Sequence, residues 1–251
     1  MKLELIDLYA GYDKPLIQGA NALLESHSLV ALLGRNGSGK STLLRHISGL
    51  LPLLSGEVCV NGQAIHQMTE RERAKLISFV TTSRVRHLQL TAREVVGLGR
   101  SPHTNWVGKL SAHDEQLVSN ALEEVGISHL AHRYVSEISD GEMQRVMIAR
   151  ALAQDTPVLL LDEPTAFLDL PNRYELALLL KRLSKEQGKV ILFSTHDLDV
   201  ALQLCDRLML IDNGHLITGT SDEVKHSGYI PQLFSSDRIE IDPDTGHVRL
   251  L

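Results

Sequence analysis

Cysteine is scarce in this sequence of 251 residues, which contains two. Cys59 and Cys205 lie in apolar surroundings, so we expect both to pack in a core without forming a disulfide. The first residues alternate apolar and polar types and show no signal-peptide core. No apolar run approaches the ~20 residues of a membrane-spanning helix. Repeats and low-complexity segments are absent too, which favours a cytosolic globular protein.

An excess of positive charge is also missing, because the chain has 31 acidic and 25 basic residues. This balance argues against a broad nucleic-acid-binding surface, and we expect no nucleic-acid partner. The length is sufficient for one large α/β domain or for two small lobes that share a core.

The strongest motif is a glycine-rich stretch that fits G-x-x-x-x-G-K-[ST], the phosphate-binding P-loop. It consists of Gly34, Arg35, Asn36, Gly37, Ser38, Gly39, Lys40, Ser41 and Thr42. Glycines let successive backbone N–H groups point at phosphate oxygens. In this motif the lysine reaches the β- and γ-phosphates and the next hydroxyl binds Mg²⁺, which assigns these tasks to Lys40 and Ser41.

The segments on either side support this interpretation. Residues 28–33 form an apolar run typical of a buried strand, and residues 42–47 continue as a helix. A strand that leads through a glycine-rich loop into a helix N-terminus forms an anion site. The sequence therefore predicts binding of a nucleoside triphosphate with Mg²⁺.

Two carboxylates follow the unbroken apolar run at residues 158–161, which is typical of a parallel strand buried on both faces. We expect Asp162 to hold the metal through its water shell and Glu163 to polarise the attacking water. His196 follows another buried strand, at residues 190–195. Its position predicts that it lies on the ligand side of the same sheet.

Secondary-structure signals change along the chain. Residues 1–30 alternate like antiparallel strands, whereas residues 83–150 carry helix signals, including helix starts at Thr91 and Ser111. Strand patterns return at residue 157. We therefore predict an α/β core with an antiparallel β subdomain and a helical subdomain inserted between core strands.

Two further features are less specific. Tyr12 lies on a turn ahead of the P-loop, where its ring could stack on a purine or pack at a strand end; its position favours neither. Ser139 and Gly141 form a Ser-x-Gly turn at the start of a helix, which would present free N–H groups to an anion. Many helices begin in this way.

In their order, these motifs resemble the ATP-binding subunits of ABC transporters over nearly the whole chain. The matching stretches are the P-loop, Ser139-x-Gly141-x-x-Gln144-Arg145, Asp162-Glu163-Pro164-Thr165, Leu168-Asp169 and Ser194-Thr195-His196-Asp197. The resemblance implies an ATPase with a RecA-like P-loop NTPase core. It also implies a single ABC ATPase domain, divided into a core with β subdomain (1–82 and 151–220), a helical subdomain (83–150) and a C-terminal extension (221–251).

The resemblance further implies roles for single residues. Tyr12 would stack on adenine, Glu163 would be the catalytic base and His196 the switch histidine. Residues Ser139–Glu142 would form the signature motif, which contacts the γ-phosphate held by the opposite subunit. Asp169 would lie at the interface of a homodimer that forms on ATP binding.

A finer resemblance is to importers of iron–siderophore, haem and cobalamin type, carried by residues 99–102 and 149–155. It implies an integral membrane permease as partner, and a location at the cytoplasmic face of the inner membrane. An extracytoplasmic solute-binding protein would take part indirectly. Two alternatives stay open, namely an exporter subunit and a soluble ABC ATPase outside transport. The latter typically has a long coiled coil or two cassettes, which this chain lacks.

The sequence departs from the family pattern at two places. Thr82 stands where a glutamine usually contacts Mg²⁺ and the attacking water, so the usual role of this position is in doubt. The signature usually reads Leu-Ser-Gly-Gly-Gln, whereas residues 138–142 read Ile-Ser-Asp-Gly-Glu. Here Asp140 would repel a γ-phosphate unless its side chain points away, and Glu142 replaces the glutamine.

Overall fold

The alternating and the unbroken apolar segments form separate sheets in the computed structural model of the chain. The structure describes residues 1–81, 89–105, 108–166, 168–236 and 238–251, so Thr82 lies outside the described residues. The strands are β1 (Lys2–Gly11), β2 (Pro15–Glu25), β3 (Ser28–Gly34), β4 (Ser55–Val60), β5 (Gln63–Ala64), β6 (Ile77–Val80), β7 (Val158–Leu161), β8 (Val190–Ser194), β9 (Arg207–Asp212), β10 (His215–Thr220), β11 (Ile239–Ile241) and β12 (Val248–Leu250). The helices are α1 (Lys40–Ile47), α2 (Glu70–Ala74), α3 (Ala92–Gly97), α4 (Ala112–Glu124), α5 (Asp140–Ala153), α6 (Leu170–Gln187), α7 (Leu198–Leu204), α8 (Ser221–His226) and α9 (Tyr229–Phe234).

The larger sheet has the order β10-β9-β3-β8-β7-β6, and all its pairings are parallel except that of β10 with β9. Every residue of β3, β7 and β8 is buried, as their apolar runs predicted. The carboxyl ends of parallel strands meet at one edge of a sheet. The segments after β3, β7 and β8 therefore converge.

Helices and a second sheet cover the two faces of this larger sheet. On one face, Val30 and Leu32 of β3 pack in a cluster with side chains of α1 and of the antiparallel sheet β2-β1-β4-β5. On the other, Leu29 and Leu33 belong to a cluster with side chains of α3 to α7. The predicted α/β fold with an antiparallel β part is confirmed.

Helices fill the segment between β6 and β7. Within the described part of this segment, the structure contains α3, α4, α5 and short 3-10 turns, but no strand. Thr91 and Ser111 cap α3 and α4 through reciprocal hydrogen bonds with Glu94 and Asp114, so both predicted helix starts are confirmed. The division at residues 82/83 and 150/151 stays a prediction, and α5 continues to Ala153.

Both cysteines are buried and free, which confirms their predicted packing in the core. The C-terminal residues belong to the same core as the helices. Ile230 and Leu233 of α9 and Ile241 of β11 are buried in the cluster that contains α7. The last strands, β11 and β12, pair as an antiparallel hairpin.

A buried ion pair connects the helices between β6 and β7. Arg100 Nε donates to Asp114 Oδ1 at 2.8 Å and Arg100 Nη1 donates to the carbonyl of Ala153 at 2.8 Å. Arg100 is 4% and Asp114 7% exposed. Hydrogen bonds from Ser111, followed by that from Arg100, hold the pKa of the Asp114 carboxyl well below its ordinary value. The pair thus ties the start of α4 to the end of α5.

We predict that Asp114→Asn lowers the free energy of unfolding by about 3 kcal/mol at pH 7, because it leaves a buried guanidinium without its counter-ion. The folded pKa of Asp114 is depressed, so its stabilisation is present above the unfolded pKa of about 4 and is lost as pH falls through the folded pKa. Urea unfolding should show that the difference in free energy of unfolding between wild type and variant is smaller at pH 3 than at pH 7. Asp222→Asn is the control, because that side chain is 88% exposed. Equal losses in the two variants would contradict the prediction.

Candidate nucleotide site

The loop between β3 and α1 has the backbone geometry of an anion cradle. Gly37 and Gly39 have φ values of 80° and 102°, in the region that favours glycine. No side chain of the described residues caps the N-terminus of α1, and the first turn of α1 contains no acidic residue. Its first N–H groups and the positive end of the helix dipole are therefore available to an anion.

Lys40 supplies the positive charge at this loop. Its side chain is 6% exposed, and Nζ donates to the carbonyl of Gly34 at 2.9 Å. The Oγ of Ser38 is buried and has no hydrogen-bond partner among the described residues. A buried hydroxyl without a partner is costly, and a phosphate oxygen would satisfy it. The loop residues thus fit a polyphosphate.

Asp162 lies at the end of β7 and faces the start of α1. Its Oδ1 accepts hydrogen bonds from Ser41 Oγ at 2.9 Å and from Ser194 Oγ at 2.8 Å. The carboxylate is 5% exposed. The structure therefore brings together Ser41 and Asp162, the two side chains predicted for Mg²⁺, and hydroxyl and carboxylate oxygens suit this cation.

Glu163 has a left-handed backbone, with φ of 46°, which is uncommon for a residue other than glycine. Its N–H donates to Ser194 Oγ at 2.8 Å. Its carboxylate lies between two cationic or polar groups, with Oε1 at 3.7 Å from Lys40 Nζ and Oε2 at 3.1 Å from His196 Nδ1. Lys40, Glu163 and His196 thus form a row in which Glu163 contacts the other two.

Ser194 is a contributor that sequence reasoning did not single out. Its hydroxyl accepts from the backbone N–H of Glu163 and donates to the carboxylate of Asp162, so it holds the Glu163 backbone and the Asp162 side chain. The side chain is fully buried at the end of β8. The only signal was its place two residues before His196, and a serine at a strand end does not by itself indicate such a role.

The turn that carries Tyr12 is connected to α1. Tyr12 is 55% exposed, so its ring does not pack at a strand end, and adenine stacking stays a prediction. The neighbouring Gly11 contacts Nε2 of the buried His46, with its N–H at 3.0 Å and its carbonyl at 2.9 Å. On the other side of the loop, Arg35 Nε donates to the carbonyl of Leu233 in α9 at 2.8 Å.

The Ser139 turn is closed by hydrogen bonds between Ser139 and Glu142. Ser139 N–H and Oγ both donate to Glu142 Oε2 at 2.8 Å, and Ser139 Oγ accepts from Glu142 N–H at 3.3 Å. The bond from the Ser139 N–H lowers the pKa of Glu142. The N–H groups of Ser139 and Glu142 are therefore engaged within the turn, and anion binding at this helix start stays a prediction. Asp140 is the first residue of α5, and a Cβ at Gly141 would lie 3.3 Å from Leu168 Cδ2.

Asp169 serves as the N-cap of α6, where its Oδ1 accepts from the N–H of Asn172 at 3.1 Å. Among the described residues, no hydrogen bond or ion pair joins Ser139 or Asp169 to Lys40 or Glu163. The structure thus assembles the P-loop and both strand-end carboxylates with His196. It does not bring the Ser139 turn or Asp169 into that group.

We predict that Ser194→Ala lowers the maximal rate of ATP hydrolysis about tenfold or more, because the strained Glu163 backbone loses its hydrogen bond and Asp162 loses a donor. The dissociation constant for ATP should change about twofold at most. Steady-state hydrolysis and titration with a fluorescent nucleotide would separate the two effects. Ser78→Ala is a matched control, because Ser78 is also buried in the sheet but lies in β6. A Ser194→Ala protein as active as Ser78→Ala would contradict the prediction.

Comparison with known proteins gives the class to which this site belongs. A family model described as "ABC transporter" matches residues 17–166. The petrobactin import ATP-binding protein FpuC of Bacillus anthracis is 38% identical over 235 residues, which cover 93% of this chain and 85% of that protein. The iron(3+)-hydroxamate import ATP-binding protein FhuC of Bacillus subtilis (strain 168) is 39% identical over 238 residues, covering 94% and 88%. A solved structure of an ATP-binding subunit of an ABC transporter has a TM-score of 0.78 and 27% identity, and covers 94% of this chain and 95% of that one.

The chain belongs to the ABC transporter family, as an ATP-binding protein. The predicted family, P-loop fold and ATPase activity are confirmed. Across the described ranges, no helix has the length and apolar character needed to span a membrane.

Proposed function

We propose that this chain is the ATPase subunit of an importer for an iron–siderophore, haem or cobalamin-type solute, and that it energises a separate membrane permease. The row Lys40–Glu163–His196 beside the uncapped start of α1 carries the ATPase part of this proposal. The names of the two relatives, which refer to petrobactin import and iron(3+)-hydroxamate import, support the transport part. These names favour import over the exporter and non-transport alternatives.

ATP binding would use the groups at the P-loop. The N–H groups at the start of α1 and the ammonium of Lys40 would take the β- and γ-phosphates. Ser41 would be a direct Mg²⁺ ligand and Asp162 would hold the metal through water. When bound, Mg²⁺ supplies charge neutralisation between these phosphates. Tyr12, exposed on the turn held by His46, would stack on the adenine.

Hydrolysis would depend on the carboxylate of Glu163. One side of this carboxylate faces Lys40, and about a quarter of the side chain is exposed, so a water can reach it. Glu163 would accept a proton from the attacking water. His196 would have its ring hydrogen on Nδ1 and would donate a hydrogen bond to Glu163 Oε2. This bond would keep the carboxylate directed toward the phosphate side.

A second copy of the chain would complete each site. We propose that residues Ser139–Glu142 contact the γ-phosphate held by the opposite subunit and that Asp169 lies at the dimer interface. Among the described residues, the Ser139 turn and Asp169 have no hydrogen bond or ion pair with Lys40 or Glu163 of the same chain, which supports this arrangement. Asp140 and Glu142 bring two carboxylates to this surface, and the cap at Ser139 would have to open for its hydroxyl to reach phosphate.

The partner assembly follows from the importer assignment. We propose a permease in the membrane, with this chain at its cytoplasmic face and an extracytoplasmic solute-binding protein acting through the permease. The core at 1–82 and 151–220 would hold ATP, and the helical part at 83–150 would carry the signature. The segment 221–251 would brace the core, because the carbonyl of Leu233 accepts from Arg35.

We predict that Glu163→Gln keeps ATP binding but lowers hydrolysis by about a hundredfold or more, because the amide cannot take a proton from water. Because ATP stays uncleaved in this variant, a dimer of the variant should also accumulate when ATP is present. Nucleotide titration, phosphate release and sedimentation with and without ATP measure the three effects. Lys40→Ala is the contrasting variant, since loss of a charge-assisted hydrogen bond should weaken ATP binding about tenfold or more. Hydrolysis by Glu163→Gln at a rate near that of the wild type would exclude Glu163 as the base.

The importer assignment has its own test. We predict that a tagged chain co-purifies with a membrane permease and that the reconstituted pair takes up a ferric hydroxamate, haem or cobalamin in an ATP-dependent way. Uptake should stop with Glu163→Gln, which controls for leakage through the permease. ATP-dependent movement of a solute in the outward direction would support the exporter alternative instead.

A further inference from the structure

A buried carboxylate lies beside the proposed hydrolytic groups and has no role in the chemistry above. Asp197 follows His196 directly and is 7% exposed. Its Oδ1 accepts from Arg173 Nη1 at 2.7 Å, and its Oδ2 accepts from Thr165 Oγ1 at 2.7 Å. Its own N–H donates to Thr195 Oγ1 at 3.0 Å. Both oxygens of this carboxylate are thus engaged.

The partners of Asp197 come from two other segments of the site. Thr165 lies two residues after Glu163 and is 2% exposed. Arg173 belongs to the first turns of α6, and its Nε donates to the carbonyl of Leu168 at 2.8 Å. One guanidinium therefore bridges Asp197 to the residue before Asp169. Asp197 connects the segment after β7, the start of α6 and the segment after β8.

We infer that Asp197 is a positioning residue for hydrolysis, which keeps Glu163 and His196 in contact by joining the backbone segments that carry them. The inference rests on the proposed roles of these two side chains. Among the described residues, Asp197 has no hydrogen bond or ion pair with the P-loop, and its Oδ1 lies 3.8 Å from His196 Nε2. It therefore acts through Glu163 and His196.

The geometry of Glu163 and His196 requires such support. Their contact of 3.1 Å is a single hydrogen bond, and the His196 side chain is 50% exposed, so water competes for both partners. Glu163 also has a left-handed backbone, a conformation that persists only where the surroundings enforce it. The bond from Thr165 to Asp197 is buried and that from Arg173 is part-buried. Both involve a charged group in a buried carboxylate, which makes them stronger than the exposed contact.

The chain offers a matched comparison for a purely structural ion pair. Arg100 and Asp114 also form an arginine–aspartate pair with a buried carboxylate, at 2.8 Å, and the Arg100 side chain is 5% exposed against 31% for Arg173. Within the part of the chain that the structure describes, that pair has no hydrogen bond or ion pair with the residues proposed for hydrolysis. If buried pairs matter only for folding, Asp114→Asn and Asp197→Asn should affect ATPase activity alike.

The experiment compares Asp197→Asn, Asp114→Asn and Glu163→Gln in the full chain by urea unfolding, nucleotide titration and steady-state hydrolysis. For Asp197→Asn we expect kcat to fall about tenfold to a hundredfold, since a displacement of about 1 Å has that effect. The dissociation constant for ATP should stay within about twofold, because the P-loop is untouched. For Asp114→Asn we expect lower stability and kcat within about twofold of the wild type.

Arg173 provides a second pair of variants, which also covers a failure of Asp197→Asn to fold. Arg173→Ala should lower kcat in the same way, whereas Arg173→Lys should restore part of it. A lysine keeps a charge beside Asp197 but cannot donate to Asp197 and Leu168 with the planar fork of arginine. Equal kcat values for the alanine and lysine variants would overturn the inference.

The outcomes separate this inference from the proposed function. If Glu163→Gln hydrolyses ATP near the wild-type rate, the assignment of the base is wrong and the inference fails with it. If Glu163→Gln is inactive but Asp197→Asn and Asp114→Asn have kcat values equal to each other, the inference alone is overturned. A fall in kcat confined to Asp197→Asn and the Arg173 variants, with ATP binding retained, supports it.

Discussion

The buried ammonium of Lys40 is the constraint on which the site depends. A cation that is 6% exposed must be compensated, and in this structure a loop carbonyl and the carboxylate of Glu163 do so. This compensation is partial, because the nearest Glu163 carboxylate oxygen is 3.7 Å from Lys40 Nζ. The group therefore keeps attraction for further negative charge, and the uncapped start of α1 points the same way.

The parallel register of β3, β8 and β7 determines which side chains surround that cation. Each strand ends at the same edge, so the residues that follow lie side by side although they are far apart in the chain. Serine hydroxyls join them, with Ser41 and Ser194 both donating to Asp162. The polar groups of the site therefore lie along the carboxyl edge of a sheet in which β3, β7 and β8 are fully buried.

Much of this arrangement could be predicted, because its signals are local. Apolar runs marked the buried strands, the glycine spacing marked the P-loop, and Ser/Thr-x-x-Glu/Asp patterns marked helix starts. The contacts of Ser194, Arg173 and Asp197 could not be predicted from the residues alone. They join positions tens of residues apart, and their bond partners follow from strand register and helix placement rather than from any spacing in the sequence. At the Ser139 turn the local capping pattern engages the N–H groups of Ser139 and Glu142, a detail that the interpretation of the turn as an anion site left out.

The hydrogen bond from Arg35 to the carbonyl of Leu233 connects α9 to the nucleotide loop. A carbonyl at the end of a helix attracts a guanidinium, so fraying of α9 would release the first variable residue of the P-loop. A truncation after α8 would remove this acceptor together with the buried Ile230. Any change that displaces the segment after α8 would therefore act on the phosphate-binding loop through this bond.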